Sequence, residues 1–162
     1  MQIRKALIPG EVPVLLELFE EYAGSLGIAL DFQGFERELV ELPGRYAAPG
    51  GALWLAIADG RAIGCVGLRP LRADLCEIKR LYVQPAFRGT GLGRRLAETV
   101  LAEAGRIGYR RVCLDTLPSM GGAIALYRVL GFTEIEPYCD NPVPGALFLG
   151  REVEPAEPGG TG

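Results

Sequence analysis

The segment richest in chemistry is Arg88-Gly89-Thr90-Gly91-Leu92-Gly93, which follows a strand-like run and opens a helix-like one. Helix N-termini leave several backbone N–H groups without intrahelical partners, so they can converge on one anion. Glycines remove the Cβ atoms that would hold a phosphate away. Two nucleotide readings fail on spacing: a G-x-G-x-x-G fingerprint needs Gly where Arg94 stands, and a Walker A loop needs Lys after Gly, whereas the lysines are Lys5 and Lys79 alone. The chain has no histidine, which excludes a Ser-His-Asp triad, a Cys-His pair and a histidine metal site. Proton transfer falls to Glu, Asp, Tyr, Cys or Lys. Cys65, Cys76, Cys113 and Cys139 form no C-x-x-C pair, which predicts reduced, mostly buried thiols and neither a disulfide framework nor a metal cluster. A nucleophilic role for Cys76 or Cys113 stays open, although no imidazole activates either.

A chain of 162 residues is one domain's length and can bury about 70% of its unfolded surface. With 49% hydrophobic and 23% charged residues and a net charge of -3, disordered, collagenous and coiled-coil classes are excluded. Acidic residues outnumber the 17 basic ones, so no nucleic-acid partner is expected. Apolar runs such as Ala52 to Ala58 fall far short of the roughly 20 residues of a membrane span, and Met1 opens straight into a strand-like segment with no secretory leader. With reduced thiols, this points to a cytoplasmic protein without a membrane partner.

Gln2 to Ala6 is a predicted strand. Apolar residues at Val12, Leu15, Leu16, Phe19, Tyr22, Ala23 and Leu26 have helical spacing, and Asp31 caps a second short helix through Phe32, Phe35, Leu39 and Leu42. Ala52 to Ala58 and Ala62 to Leu68 are strands joined by Asp59-Gly60, a type I′ hairpin signature. Leu75 to Val83 is a strand, Gly91 to Ala104 a helix, Arg111 to Asp115 a strand, and Ala123 to Leu130 a helix closed by Gly131. Phe132 to Glu136 and Ala146 to Glu152 complete the strands. The fold class is α/β (α+β): a mixed, mostly antiparallel, twisted central sheet of about six or seven strands with about four helices on both faces. One domain covers residues 1–154, and residues 155–162, rich in Pro, Gly and Glu, form a disordered tail. A helical crossover makes Leu75 to Val83 parallel to Arg111 to Asp115, and the chemistry belongs at the carboxyl end of the former.

Arg88, Gly91 and Gly93, after Glu77-Ile78-Lys79-Arg80-Leu81-Tyr82-Val83, fit the pattern Arg/Gln-x-x-Gly-x-Gly/Ala, and Ala123 to Phe132 carries Leu-Tyr-x-x-Leu-Gly-Phe. In both motifs the chain resembles the GNAT superfamily of N-acetyltransferases, as a small bacterial member, most strongly from Glu77 to Phe132. The resemblance implies a GNAT-like acyl-CoA N-acyltransferase fold and acetyl-CoA as acyl donor. It further implies direct transfer to a primary amine in a ternary complex. It places the pyrophosphate on the amides of Arg88, Gly89, Thr90, Gly91, Leu92 and Gly93, with positive charge from Arg88 and Arg94. The pantetheine then lies along the edge of Leu81, Tyr82 and Val83. The same resemblance makes Glu77 the base, the Leu81 amide the donor to the carbonyl oxygen, and Tyr127 the acid that protonates the thiolate. Met120 stands where many members carry Asn, so one polar contact to the pantetheine is missing or replaced. A homodimer is implied by family analogy alone.

Each role has a structural counterpart: Glu77 in a cross-strand ion pair with an Arg, Tyr127 as a packed aromatic, and Asp115-Thr116 as a cap or as pocket lining. The small amine-bearing acceptor falls to Glu20, Glu21, Asp31, Phe32, Phe35 and the run Tyr138-Cys139-Asp140-Asn141-Pro142. Acidic and aromatic residues there suit a cation, or are a wet helix face. A non-catalytic acyl-CoA-binding regulatory module and a nucleotide-binding protein are the other two functional classes.

Overall fold

A computed structural model describes residues 1–26, 34–118 and 120–154. The expected cap at Asp31, the Phe32 contact and the tail 155–162 lie outside the described residues. Strand β1 (Gln2–Lys5) leads into helix α1 (Val12–Leu26), which buries Leu15, Leu18 and Phe19 along one stripe. Helix α2 (Phe35–Glu41) is followed by a short 3₁₀ turn, Gly44–Tyr46. Strands β2 (Ala52–Ala58) and β3 (Arg61–Arg72) form the expected hairpin: Asp59 and Gly60 have φ of 50° and 75°, the two left-handed residues a type I′ turn requires. Strand β3 outruns its apolar stretch because Arg69, Pro70 and Arg72 continue the pairing with β4 (Leu75–Val83).

Helix α3 (Leu92–Ile107), strand β5 (Arg111–Thr116), helix α4 (Gly121–Val129) and strands β6 (Thr133–Glu134) and β7 (Leu147–Glu152) follow β4. The sheet order is β1-β2-β3-β4-β5-β7-β6, antiparallel except for the parallel pair β4/β5. Strand β6 is shorter than the apolar run suggests because it is an edge with only β7 beside it, and Pro137 has no N–H to continue a ladder. Against one face, Leu92, Leu96, Val100 and Ala104 of α3 pack on Ile63, Val66, Leu68 and Ile78. Against the other, Leu15, Leu18 and Phe19 of α1 pack with Phe35, Tyr46, Leu53 and Tyr82. Among the described residues no helix is long and apolar enough to cross a membrane.

Two irregularities of β4 open the sheet at the carboxyl end of this strand. Its register with β3 jumps from Cys65↔Tyr82 to Gly67↔Lys79, so Val66 faces both Arg80 and Leu81, and Arg80 takes a φ of 57°. A left-handed non-glycine residue costs about 1–2 kcal/mol; the buried Cys65 thiol donates to the Arg80 carbonyl (3.3 Å) at this bulge. The bulge resets the alternation. Ile78 and Val83, five positions apart, would face opposite sides of a regular strand, yet both join the α3-side core. The second irregularity is a fork: β4/β5 pairing stops at Glu77↔Cys113, although β4 runs on to Val83 and β5 to Thr116.

Candidate active site

A cleft of about 540 Å³ fills the mouth of this fork and the space between the N-termini of α3 and α4, a volume typical of small-molecule sites. Leu81, Tyr82 and Val83 form one wall, and Arg88, Gly89, Gly91, Leu92 and Gly93 form the floor. Gly91 precedes α3 with a φ of 83°, and a Cβ built there meets nothing within 4 Å. The first-turn amides of a 16-residue helix are therefore open to an anion, with the helix dipole favouring negative charge. Arg88 is pinned over this turn: its Nε donates to the Val83 carbonyl (3.0 Å), and its guanidinium lies 5.9 Å from the Tyr82 ring centroid. The facing wall is Met120, Gly121, Gly122, Ala123 and Leu126 at the start of α4.

Deeper in the fork lies a second cavity of about 30 Å³, room for one water-sized group. Lys79, Arg80, Asp115, Asn141, Tyr22 and Tyr127 are among its polar lining, while Tyr22, Leu26, Leu81 and Met120 line both cavities, so the two meet there. Tyr127 is buried and packs edge-on against Phe132, with centroids 5.4 Å apart. No hydrogen bond reaches its hydroxyl among the described residues. Since no fully buried side-chain oxygen or nitrogen among them lacks a partner, that hydroxyl opens to the cavity. Burial, with a smaller contribution from nearby Tyr22, raises the Tyr127 phenol above its ordinary value, so it enters chemistry protonated.

Glu77 lies on neither cavity wall. It is 1% exposed, accepts from Arg69 Nε (2.8 Å) and the Tyr138 hydroxyl, and stands 3.4 Å from Lys79 Nζ. Arg69 is its register partner on β3, so the cross-strand ion pair is present. The pair belongs to a buried alternating chain of charge on the α1–α2 side. Arg80 donates twice to Glu38 (2.9 and 2.8 Å), Arg69 stands 3.6 Å from Glu38, and Lys79 pairs with Asp115 at 2.9 Å. Arg80 also lies over the Phe35 and Tyr22 rings, 5.1 and 5.7 Å from their centroids. Three cations thus face three carboxylates where the sequence suggested an acidic surface; Glu20 and Asp140 of that expectation are exposed.

Burial by itself would raise the Glu38 carboxyl, but the hydrogen bonds and charge of Arg80, with Arg69 and Tyr46, outweigh it and hold it below the usual range. Asp115 behaves alike, its burial outweighed by Lys79 and Asn141. Removing one partner of a buried ion pair leaves the other uncompensated. Glu38→Gln is therefore expected to cost about 3 kcal/mol, read as a lower urea midpoint at unchanged slope. The acid dependence has a definite sign. Hydrogen bonds from Arg4 and the Leu7 amide hold Glu11 at about 2, and those from Arg106 and Lys5 do the same for Glu103. With Glu38 and Asp115 also depressed, the unfolded chain binds more protons than the folded one below the ordinary carboxylate pKa. These groups stabilise the fold fully above that value and lose their contribution as pH falls through the folded values. Melting temperature should fall steadily from about pH 5 to about pH 2; a flat profile would contradict the assigned pairs.

Residues 15–132 match the model of the Acetyltransferase (GNAT) family. The chain belongs to that family. It is 34% identical over 155 residues to an uncharacterized N-acetyltransferase of Schizosaccharomyces pombe, covering 94% of this chain and 95% of that protein. A GNAT-family acetyltransferase of Staphylococcus aureus superposes with a TM-score of 0.79 at 22% identity, over 94% of this chain and 99% of that one. A putative acetyltransferase of Salmonella typhimurium, solved with its cofactor acetyl-CoA, gives 0.74 at 20% identity, over 97% and 96%. The solved structures bear out the expected GNAT fold.

The GNAT motif residues Arg88, Gly91 and Gly93 all reach the cleft floor, as do Gly89 and Leu92. Thr90 and Arg94 do not line it. The Thr90 hydroxyl donates to the Phe87 carbonyl (2.7 Å), and exposed Arg94 faces Glu98 one turn on at 3.8 Å. Met120, at the position where Asn is common, lies on the wall with its Sδ 3.7 Å from the Thr116 hydroxyl. Sequence reasoning missed Tyr22, whose spacing with Phe19 and Leu26 reads as core, and Gly121-Gly122, which reads as a plain lead into α4.

Proposed function

We propose that this GNAT chain binds acetyl-CoA as acyl donor in the 540 Å³ cleft and transfers the acetyl group directly to a primary amine of a small molecule, amino acid or peptide in a ternary complex. The observation that carries this reading is the junction of the two cavities at Tyr22, Leu26, Leu81 and Met120. One cavity has small-molecule volume and suits the donor, the other the size of one amine head group, and the acyl carbon belongs at the joint. The glycine cradle fits a pyrophosphate because nothing occupies the place of a Gly89 or Gly91 Cβ. The free edge of β4 past Glu77 fits a pantetheine amide chain.

In this reading the acceptor ammonium first loses a proton to water. The amine nitrogen then bonds to the acyl carbon while the Leu81 amide donates to the carbonyl oxygen as it gains charge. The C–S bond breaks, the thiolate takes the Tyr127 proton, and the phenolate recovers one from the new amide nitrogen. One proton is released in all. Glu77, saturated by Arg69, Lys79 and Tyr138, is a positioning residue for Lys79 in place of the base that the resemblance implied.

The thiols support direct transfer. Burial pushes Cys76 and Cys113 up to about 12 and exposed Cys139 to about 11, and raises Cys65 as well. None is a thiolate at neutral pH. The test is intact mass after incubation with acetyl-CoA, alone and then with a panel of amines. Direct transfer predicts an unchanged chain mass in both and an acetylated amine in the second; an acetyl group on any cysteine would overturn it.

A further inference from the structure

We propose that the pocket between α2, the 3₁₀ turn and β3 is a binding site for a small oxyanion, a carboxylate or phosphate group, held end-on by Arg69 with Arg45 beside it. The pocket shares no lining residue with the donor cleft or the fork cavity, and the proposal does not rest on the acetyl-transfer reading.

The pocket has a volume of about 170 Å³, room for more than one water-sized group. Arg37, Arg45 and Arg69 line it together with Glu38, Glu41 and Tyr46. These groups differ in how far they are already used. Glu38 has no place left for a ligand: Oε2 accepts from Arg80 Nε (2.9 Å) and the Tyr46 hydroxyl (3.0 Å), and Oε1 accepts from Arg80 Nη2 (2.8 Å). Glu41 pairs with Arg37 one helical turn back at 3.2 Å.

The donors are different. Arg69 is only 13% exposed, and its Nε is committed to Glu77 at 2.8 Å. Its Nη1 stands 3.6 Å from Glu38, beyond hydrogen-bond reach, and among the described residues neither Nη1 nor Nη2 donates a hydrogen bond. Since no fully buried side-chain nitrogen or oxygen among them lacks a partner, both nitrogens reach open space, and this pocket is the opening that Arg69 lines. The Nη1/Nη2 edge of a guanidinium is the fork that a carboxylate or phosphate takes with two parallel hydrogen bonds. Arg45 is held at the same wall by the bond from its Nη2 to the Pro70 carbonyl (2.7 Å), which leaves its Nε and Nη1 to a ligand.

Charge points the same way. Arg80 offsets Glu38, Arg37 offsets Glu41 and Glu77 offsets Arg69, so the charge of Arg45 is left over at the wall. An oxyanion supplies both the missing negative charge and the missing acceptors, whereas a cation would find every lining carboxylate already paired.

Inorganic phosphate, acetate and, as a cationic control, tetramethylammonium are titrated by NMR into the full chain at low ionic strength. Phosphate could also enter the glycine cradle, so Gly91→Glu is titrated beside wild type. At least one of the two anions should bind saturably, with shifts centred on Tyr46 and Arg69, equally well in Gly91→Glu, and the cation should not bind; the tighter anion tells a carboxylate ligand from a phosphate one. Arg69→Lys keeps a cation for Glu77 but lacks the two-pronged edge, and should weaken the anion about tenfold or more. Exposed Arg45→Gln should weaken it severalfold, and exposed Glu41→Gln, which removes a negative charge from the wall, should tighten it severalfold. No saturable binding of either anion, or binding lost in Gly91→Glu, would overturn the site. So would an affinity unmoved by Arg45→Gln and Glu41→Gln, whether or not Arg69→Lys folds.

Discussion

Tyr127→Phe lowers kcat for amine acetylation about a thousandfold, within the range of general acid catalysis, and leaves acetyl-CoA affinity within about twofold of wild type. The substitution removes one oxygen and nothing else. Its ring still packs edge-on against Phe132 at 5.4 Å, and the hydroxyl has no hydrogen bond to lose among the described residues. Stability should therefore hold. The proton is needed only as the C–S bond breaks, so kcat and kcat/KM should fall together. Steady-state kinetics with a calorimetric titration of acetyl-CoA check both halves. A loss under about tenfold would remove Tyr127 from the chemistry and return it to the core.

Gly91→Glu abolishes acetyl-CoA binding over the accessible range, an expected loss of about a thousandfold or more. Two effects combine. The residue sits at a φ of 83° with open space where its Cβ would be, so a side chain costs only the left-handed strain of about 1–2 kcal/mol and the chain still folds. The new carboxylate, however, projects into the cradle, where a phosphate charge about 4 Å away repels it by about 4 kcal/mol at an effective dielectric near 20. Gly91→Ala separates the two, because it carries the strain without the charge and should lose no more than about tenfold. Titration of both variants with CoA, beside their melting temperatures, gives the comparison. Equal affinity in Gly91→Glu and wild type would mean that the pyrophosphate lies elsewhere.

The parts of this molecule that come from local pattern are legible in the sequence. Asp59-Gly60 fixes a hairpin because two left-handed residues are needed in a row, and Arg88 to Gly93 marks a strand-to-helix turn because only glycines expose its amides. The order of strands and helices comes from such local periods. The fork and the bulge do not, since they depend on which residues of β4 find partners on β3 and β5. The slip that sets Val66 against Arg80 and Leu81 has no mark in the sequence, and Arg80 itself reads as a surface charge until α1 and α2 bring Tyr22, Phe35 and Glu38 to it. Asp115 is ambiguous for the same reason. At the end of a strand it could be a cap, and only the register past Glu77↔Cys113 sets it opposite Lys79. Tyr22 hides in helical periodicity, because a residue at the joint of two cavities and a residue in the core occupy the same helix face.

Acetyl transfer at the fork is decided by thiol release from acetyl-CoA by the full chain, with no amine and then with a panel of small amines, amino acids, polyamines and peptide amines. A fork that seats the thioester at Leu81 and Tyr127 and the amine at the adjoining cavity predicts slow release without amine and a large, saturable increase with at least one member of the panel. Acetyl-CoA that remains intact with every amine, from a chain whose melting temperature it does not raise, would contradict both the donor cleft and the acetyl transfer assigned to it.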